Sequence, residues 1–202
     1  MLQFAKALRG LLVLALVMVL AVPALAQQNQ AATGSEQSQS TTGTIKSVTA
    51  DQNQIIVTDK DGKDWTYHVR KDAHFFVTRE ENASLANLKA GEDVALLWEK
   101  GKGNAADRLE TNAILVRTGD FKNAGLIETK VKSADDKTLT AMAADGKDMT
   151  FQMHEGGKIR LNNKEAKLNE VKANDRVIIA FERTGDQNRA LAVCSAPEAR
   201  EK

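Results

Sequence analysis

Cysteine is nearly absent: Cys194 is alone in 202 residues. No internal disulfide can staple the chain, so its folded units must hold together by core burial. An excess of one charge is lacking too, with 28 Lys and Arg against 27 Asp and Glu. A balanced chain lacks the dominant basic face that nucleic-acid binding calls for, and no nucleic-acid partner is expected. Catalytic signatures are missing. The chain holds no Gly-x-Ser-x-Gly, no His-Glu-x-x-His and no Cys–His pairing at a recognisable spacing. The expectation is a protein that is not an enzyme, with no catalytic residues, no resident cofactor and no metal ligand set. An enzyme would have to assemble its site between two parts of the chain, which residue order does not display.

What is present begins with an export signal. Lys6 and Arg9 precede the apolar run Leu11–Ala21, and Pro23 breaks that run before Ala24-Leu25-Ala26. Basic start, apolar middle and small-x-small end define a secretory signal, residues 1–26. The rival reading is an uncleaved anchor helix, but Gly10–Ala26 falls short of the ~20 residues a membrane span needs. No cysteine follows the cleavage site, which speaks against lipid attachment there. Cleavage removes two basic residues and no acid, leaving 26 basic and 27 acidic residues. The mature chain then has no membrane span and a periplasmic or secreted destination. Residues 27–42, QQNQAATGSEQSQSTT, contain no aliphatic residue larger than Ala. Such a segment buries too little to offset its ordering entropy and reads as a disordered tether, with order starting at Gly43.

Beyond the tether the chain repeats itself. Asp61-Gly-Lys-Asp-Trp-Thr-Tyr-His-Val69 aligns with Asp145-Gly-Lys-Asp-Met-Thr-Phe-Gln-Met153. Leu85-Ala-Asn-Leu-Lys-Ala-Gly-Glu-Asp-Val94 aligns with Leu168-Asn-Glu-Val-Lys-Ala-Asn-Asp-Arg-Val177, and Gly43-Thr-Ile45 with Gly125-Leu-Ile127. Block order is kept at a nearly constant offset, so this is a duplication: repeat one over 43–118 and repeat two over 123–196.

Each repeat reads as short strands, near 43–49, 54–58, 64–69, 74–77, 94–100 and 108–116, then 125–132, 137–142, 148–153, 158–161, 176–182 and 189–194. Asp61-Gly62 and Asp145-Gly146 sit between alternating runs, where a tight hairpin needs positive φ. Single helical turns are expected around Ser84–Lys89 and Lys167–Lys172. Extra residues between Gly125 and Asp135 suggest a bulge in the first strand of repeat two. Trp65, Tyr67 and Val69 alternate with Thr66 and His68 and correspond to Met149, Phe151 and Met153, which marks them as inward. Val94, Leu96 and Trp98 match Val177, Ile179 and Phe181 in the same way. The fold class is all-β: two tandem small OB-like β-barrels, with small β-sandwiches as the runner-up.

Gly43-x-Ile45, Asp61-Gly62 and Leu88-Lys-Ala-Gly-Glu-Asp-Val94 resemble small OB-like barrel domains of exported bacterial proteins. Repeat two carries the pattern as Gly125-x-Ile127 and Val171-Lys-Ala-Asn-Asp-Arg-Val177, with Asn174 in place of the usual Gly. The framework is also similar to the periplasmic copper-binding CusF-type barrel. That resemblance implies copper held by one His, two Met and a stacked Trp. Trp65-Thr-Tyr-His68 and Met149-Thr-Phe-Gln-Met153-His154 contain similar residue types. The family's Trp-Pro-x-Met-x-Met run is missing, so no copper ligand carries over by position.

Four groups of residues are candidates for chemistry. Met142, Met149, Met153 and His154 are close in sequence and thioethers suit Cu(I), yet Met149 and Met153 occupy inward places and fill core. His68, His74 and Phe76 form a candidate ligand or partner patch on the outer face of repeat one. A hairpin between their strands would bring them together, and imidazoles bind Zn²⁺ or Cu²⁺. Repeat two has Gln152, Lys158 and Arg160 there, and solvent-facing side chains with no partner are the plainer account. Asp59-Lys-Asp61-Gly62-Lys-Asp64 hints at Ca²⁺, but its sixth and twelfth places hold Asp64 and Arg70 where a loop of that type needs Gly and Glu, so it reads as a turn. Cys194 reads as a buried small side chain, with an inter-chain disulfide as the alternative. The functional expectation is an exported non-catalytic binding or interaction module with an unknown protein or small-ligand partner in the cell envelope. The alternative is a periplasmic copper- or zinc-binding protein.

Overall fold

A computed structural model describes residues 38–77, 83–101, 107–116, 123–143 and 145–197. The expected signal, 1–26, and positions 27–37 of the expected tether lie outside the described residues. The first half contains β1 (Gln39–Thr49), β2 (Gln54–Asp59), β3 (Asp64–Val77), β4 (Asp93–Lys100) and β5 (Leu109–Val116). They close in the order β1-β2-β3-β5-β4, with β1 pairing back onto β4. All pairs are antiparallel except β3 with β5.

The second half repeats the plan with β6 (Ala124–Ala134), β7 (Thr138–Met142), β8 (Asp148–Leu161), β10 (Arg176–Thr184) and β11 (Gln187–Ser195). A two-residue strand, β9 (Lys164–Glu165), turns back on β8. The parallel β8–β11 pairing closes this sheet as well. The chain is therefore all-β, with two closed five-stranded barrels in tandem, and not a pair of open sandwiches. Short 3₁₀ turns at Leu85–Asn87 and Leu168–Glu170 plug equivalent barrel ends with Leu85 and Leu168. Gly62 and Gly146 stand at φ +78° and +79° in the β2–β3 and β7–β8 turns, where a side chain would be strained.

Three expectations about the strands are corrected. First, 64–69 and 74–77 are one strand, and so are 148–153 and 158–161. No hairpin separates them. Five steps along β3, Val69 to His74, face two steps along β5, Thr111 to Ala113, and β8 and β11 repeat the mismatch between Met153 and Lys158. The surplus residues bulge out of a continuous ladder, which bends a single strand around the barrel.

Second, order reaches back before Gly43. Gln39, Ser40, Thr41 and Thr42 pair with Trp98, Leu97, Leu96 and Ala95. Residues 39–42 are thus strand and not tether. Backbone donors and acceptors along β4 need partners whatever the side chains are, so a polar stretch suffices.

Third, the register of the repeat is different at its first strand. Gly43 pairs with Val94 and Thr129 pairs with Val177, which makes Gly43 the counterpart of Thr129. Ile45 and Val131 correspond in the same way: each receives a 2.8 Å bond from the backbone of Gly91 or Asn174. The bulge expected in repeat two alone occurs in both, at Ile45/Ser47 and Val131/Ser133. Its bulged lysines, Lys46 and Lys132, pair with the equivalent Asp64 and Asp148.

Each barrel encloses its own core. Ile45, Ile55, Val57, Tyr67, Val94, Leu96 and Ile114 fill the first. Ile127, Val131, Leu139, Phe151, Val177, Ile179 and Val193 fill the second. Full burial of one such side chain is worth about 1.5–3 kcal/mol, so the inward alternation read along β3 and β8 accounts for much of the driving force.

Candidate functional site

A third apolar cluster lies outside both barrels and joins them. Ala95 and Leu97 of β4 and Ala113 and Leu115 of β5 meet Leu126, Ile178, Ala180 and Ala192 of β6, β10 and β11. Phe76, Ala124 and Ala196 edge the contact. The stretches responsible, Val94–Leu97, Ala113–Val116 and Val177–Ala180, are buried at every position. Inward residues serve the barrel and outward ones serve the junction, the pattern of a strand covered on both sides.

The junction also holds a carboxylate. Glu128 is 2% exposed; it pairs with Arg176, and Ser38 Oγ donates to its Oε2 at 2.6 Å. Removing either partner from a buried charge is costly, so this trio resists disruption. Ser38 thereby ties the start of β1 to the second barrel.

The candidate patch divides. His74 and Phe76 come together, their rings 6.3 Å apart at 28°. They sit at the edge of the junction and not on an open surface. His74 Nε2 lies 3.0 Å from the Ser195 carbonyl at the end of β11. Burial holds this imidazole below its ordinary range, with the Ser195 bond and Asp72 opposing and Arg160 reinforcing. His68, six residues earlier on β3, is half-buried, opposite Gln54 on β2 and Glu110 on β5. Among the described residues no hydrogen bond or ring contact joins it to His74 or Phe76. The hairpin expected to unite all three does not exist.

The other candidates resolve into local roles. Met149 and Met153 pack against the second core, while Met142 is exposed at the end of β7 and His154 is exposed on β8. Among the described residues, no group of three or more His, Cys, Asp and Glu is placed to hold a metal ion. The Asp59 carboxylate accepts the backbone N–H groups of Asp61 and Lys63 at 2.9 and 3.0 Å and Trp65 Nε1–H at 2.8 Å. The Trp65 bond, then the Lys63 amide, draws its pKa below the usual carboxylate value. Lys63 Nζ stands 3.7 Å above the Trp65 ring. This is a braced turn. Cys194 is a buried free thiol that burial pushes up to about 11. At neutral pH it is protonated and covered, a poor partner for disulfide exchange.

One cluster went unread in the sequence. Arg70, with a side chain 10% exposed, bonds to Asp72 and to Glu99. Glu99 and Glu110 face each other across β4 and β5, and facing like charges repel. Arg70 beside them offsets that. Repeat two pairs Glu182 with Arg189 at the same place and has no need of an arginine on β8, so comparison of repeats conceals the cluster.

Among the described residues no helix is long and apolar enough to cross a membrane. No family model matches the chain, and no curated protein matches it. Among solved structures, the crystal structure of Ag(I)CusF is 17% identical with a TM-score of 0.30, covering 40% of this chain and 99% of that one. CusF-Ag(I) residues 10–88 from Escherichia coli is also 17% identical at 0.30, covering 41% and 94%. A Drosophila Unr structure, CSD456, is 12% identical at 0.28, covering 81% of this chain and 64% of that one. Likenesses at these levels carry no functional argument. The barrels themselves are defined by their strand pairing.

Proposed function

We propose that this chain is an exported, non-catalytic interaction module of the cell envelope, which presents two joined barrels to a macromolecular partner as one body. The observation that supports it is the third cluster. Outer strand faces that would otherwise be free are spent on joining the barrels, and both interiors are filled by side chains. Among the faces left outside the junction is that of β2 and β3. Gln54 there is opposite His68, and Ile56 is opposite Thr66, while Ile55, Val57, Tyr67 and Val69 point inward. Ile56 and His68 are both half-buried, a small apolar and imidazole surface of the kind that binds protein.

Photo-crosslinking in intact cells tests this. A crosslinker in place of Ile56 should give a discrete adduct that Thr66→Glu and His68→Glu weaken, while one in place of Asp186 should give none. Absence of any adduct at Ile56 overturns the reading. Metal handling is the rival, and isothermal titration with Cu(I) and with Zn²⁺ separates the two. Micromolar binding lost in His68→Ala would replace the interaction reading with the rival.

A further inference from the structure

We infer that His74 makes the junction between the barrels acid-sensitive: the neutral ring closes it, and protonation drives the barrels apart. The ring belongs to the first barrel and its hydrogen bond to the second. Nε2 points at the Ser195 carbonyl, so this nitrogen carries the hydrogen and donates. The neutral ring stacks beside Phe76, which packs on the junction cluster. A second proton would place a full charge in that apolar setting.

Groups on every side bear on the balance. Asp72 on the ring's own strand favours the cation, and so does the Ser195 carbonyl on β11; Arg160 on β8 of the opposite barrel disfavours it. Glu165 on β9 pairs in register with Arg160, and β5 offers only Ala113 opposite His74. Burial is the largest influence and sets the imidazole below its ordinary 6.5. The sign follows by linkage. Separated barrels expose His74 and return it to that ordinary value, so the open form binds the extra proton more readily. The junction is fully supported above pH 6.5 and loses support as pH falls from there through the lower value of the closed form.

The test uses the mature chain with dyes on Asp61→Cys and Asp186→Cys in a Cys194→Ala background. Energy transfer between the barrels is followed along urea titrations at pH 7.5 and pH 5.5. Separation should need less urea at pH 5.5. In His74→Gln, whose amide still donates to Ser195, the midpoint should not move between the two pH values. His68→Gln and His154→Gln should keep the response. Equal pH shifts in His74→Gln and its parent overturn the inference, as does a parent with no shift. Nuclear magnetic resonance titration of the His74 ring in the unmutated protein decides the matter should His74→Gln fail to fold: a pKa at or above 6.5 overturns it.

Discussion

Tyr67 and Trp98 in the first barrel stand where Phe151 and Phe181 stand in the second. The two ring pairs are alike in geometry, 5.9 Å apart at 58° and 5.5 Å at 68°. They differ in what they oblige the neighbouring strand to supply. The Trp98 indole N–H donates to Thr41 Oγ1 at 2.9 Å, and the same hydroxyl lowers the pKa of a Tyr67 phenol that burial raises. In the second barrel the position of Thr41 is taken by Ile127, which packs into the core beside two rings with no polar atom. An aromatic with a polar handle and its acceptor therefore change together. Gly43 and Thr129 are a second such pair. A Cβ on Gly43 would lie 2.3 Å from the Thr58 carbonyl, whereas at the equivalent place Thr129 Oγ1 donates to the Met142 carbonyl at 2.7 Å. One backbone thus accommodates two local solutions.

The largest test of this comparison asks whether the barrels are independent. Phe151→Ala should cost about 3–5 kcal/mol. Both tryptophans, Trp65 and Trp98, belong to the first barrel, so their emission reports on that barrel alone. Because the third cluster couples the halves, the tryptophan transition in urea should shift together with circular dichroism. An unmoved tryptophan transition would mean that the junction does not couple them. Gly43→Ala should cost about 1–3 kcal/mol, since it forces a side chain against a carbonyl, and a neutral result by thermal melting would show that β1 can back away from β2. Thr41→Val should cost about 1 kcal/mol by leaving the Trp98 N–H without its acceptor; an unchanged urea midpoint breaks the claimed pairing of handle and acceptor.

The smallest effect concerns acid. Asp59, and Asp64 beside Lys46 and Thr58, have carboxyl groups held below the ordinary 3.8. Folding then binds fewer protons than the unfolded chain does. Their contribution is whole above pH 3.8 and fades as pH falls through the folded values. Asp59→Asn should flatten the acid limb of the tryptophan signal slightly. The second barrel has Ala143 at that place, and its own lowered carboxyls are Asp135, bonded to Thr138, and Asp145, bonded to Lys147.

Alternation made the cores legible: every second residue of 65–69 and 149–153 carries bulk, and those positions line the two barrels. The hairpin glycines were legible for a similarly local reason. The first half of β1 was not, because Gln39–Thr42 is held by backbone pairing to β4, to which side-chain hydrophobicity gives no clue. The Gly-x-Ile likeness at 43 and 125 misplaced the first strand, since a short motif recurs more readily than a register does. Outward placement of His74 and Phe76 follows from alternation. Their cover does not, because it comes from Ser195 and its neighbours at the far end of the chain. The continuous apolar runs in β4, β5 and β10 were the available signal for that cover; matched only at alternate positions between repeats, they showed the barrels and hid the junction.

Corresponding surfaces meet in that junction: outward residues of β4 and β5 oppose those of β10 and β11. Between separate molecules such a like-to-like contact would form a twofold dimer, populated according to how concentrated the protein is. Here residues 117–122 connect the halves covalently. A short connection of this kind sets a local concentration in roughly the millimolar range, whatever the bulk value. Pairing of the halves is thereby insulated from dilution.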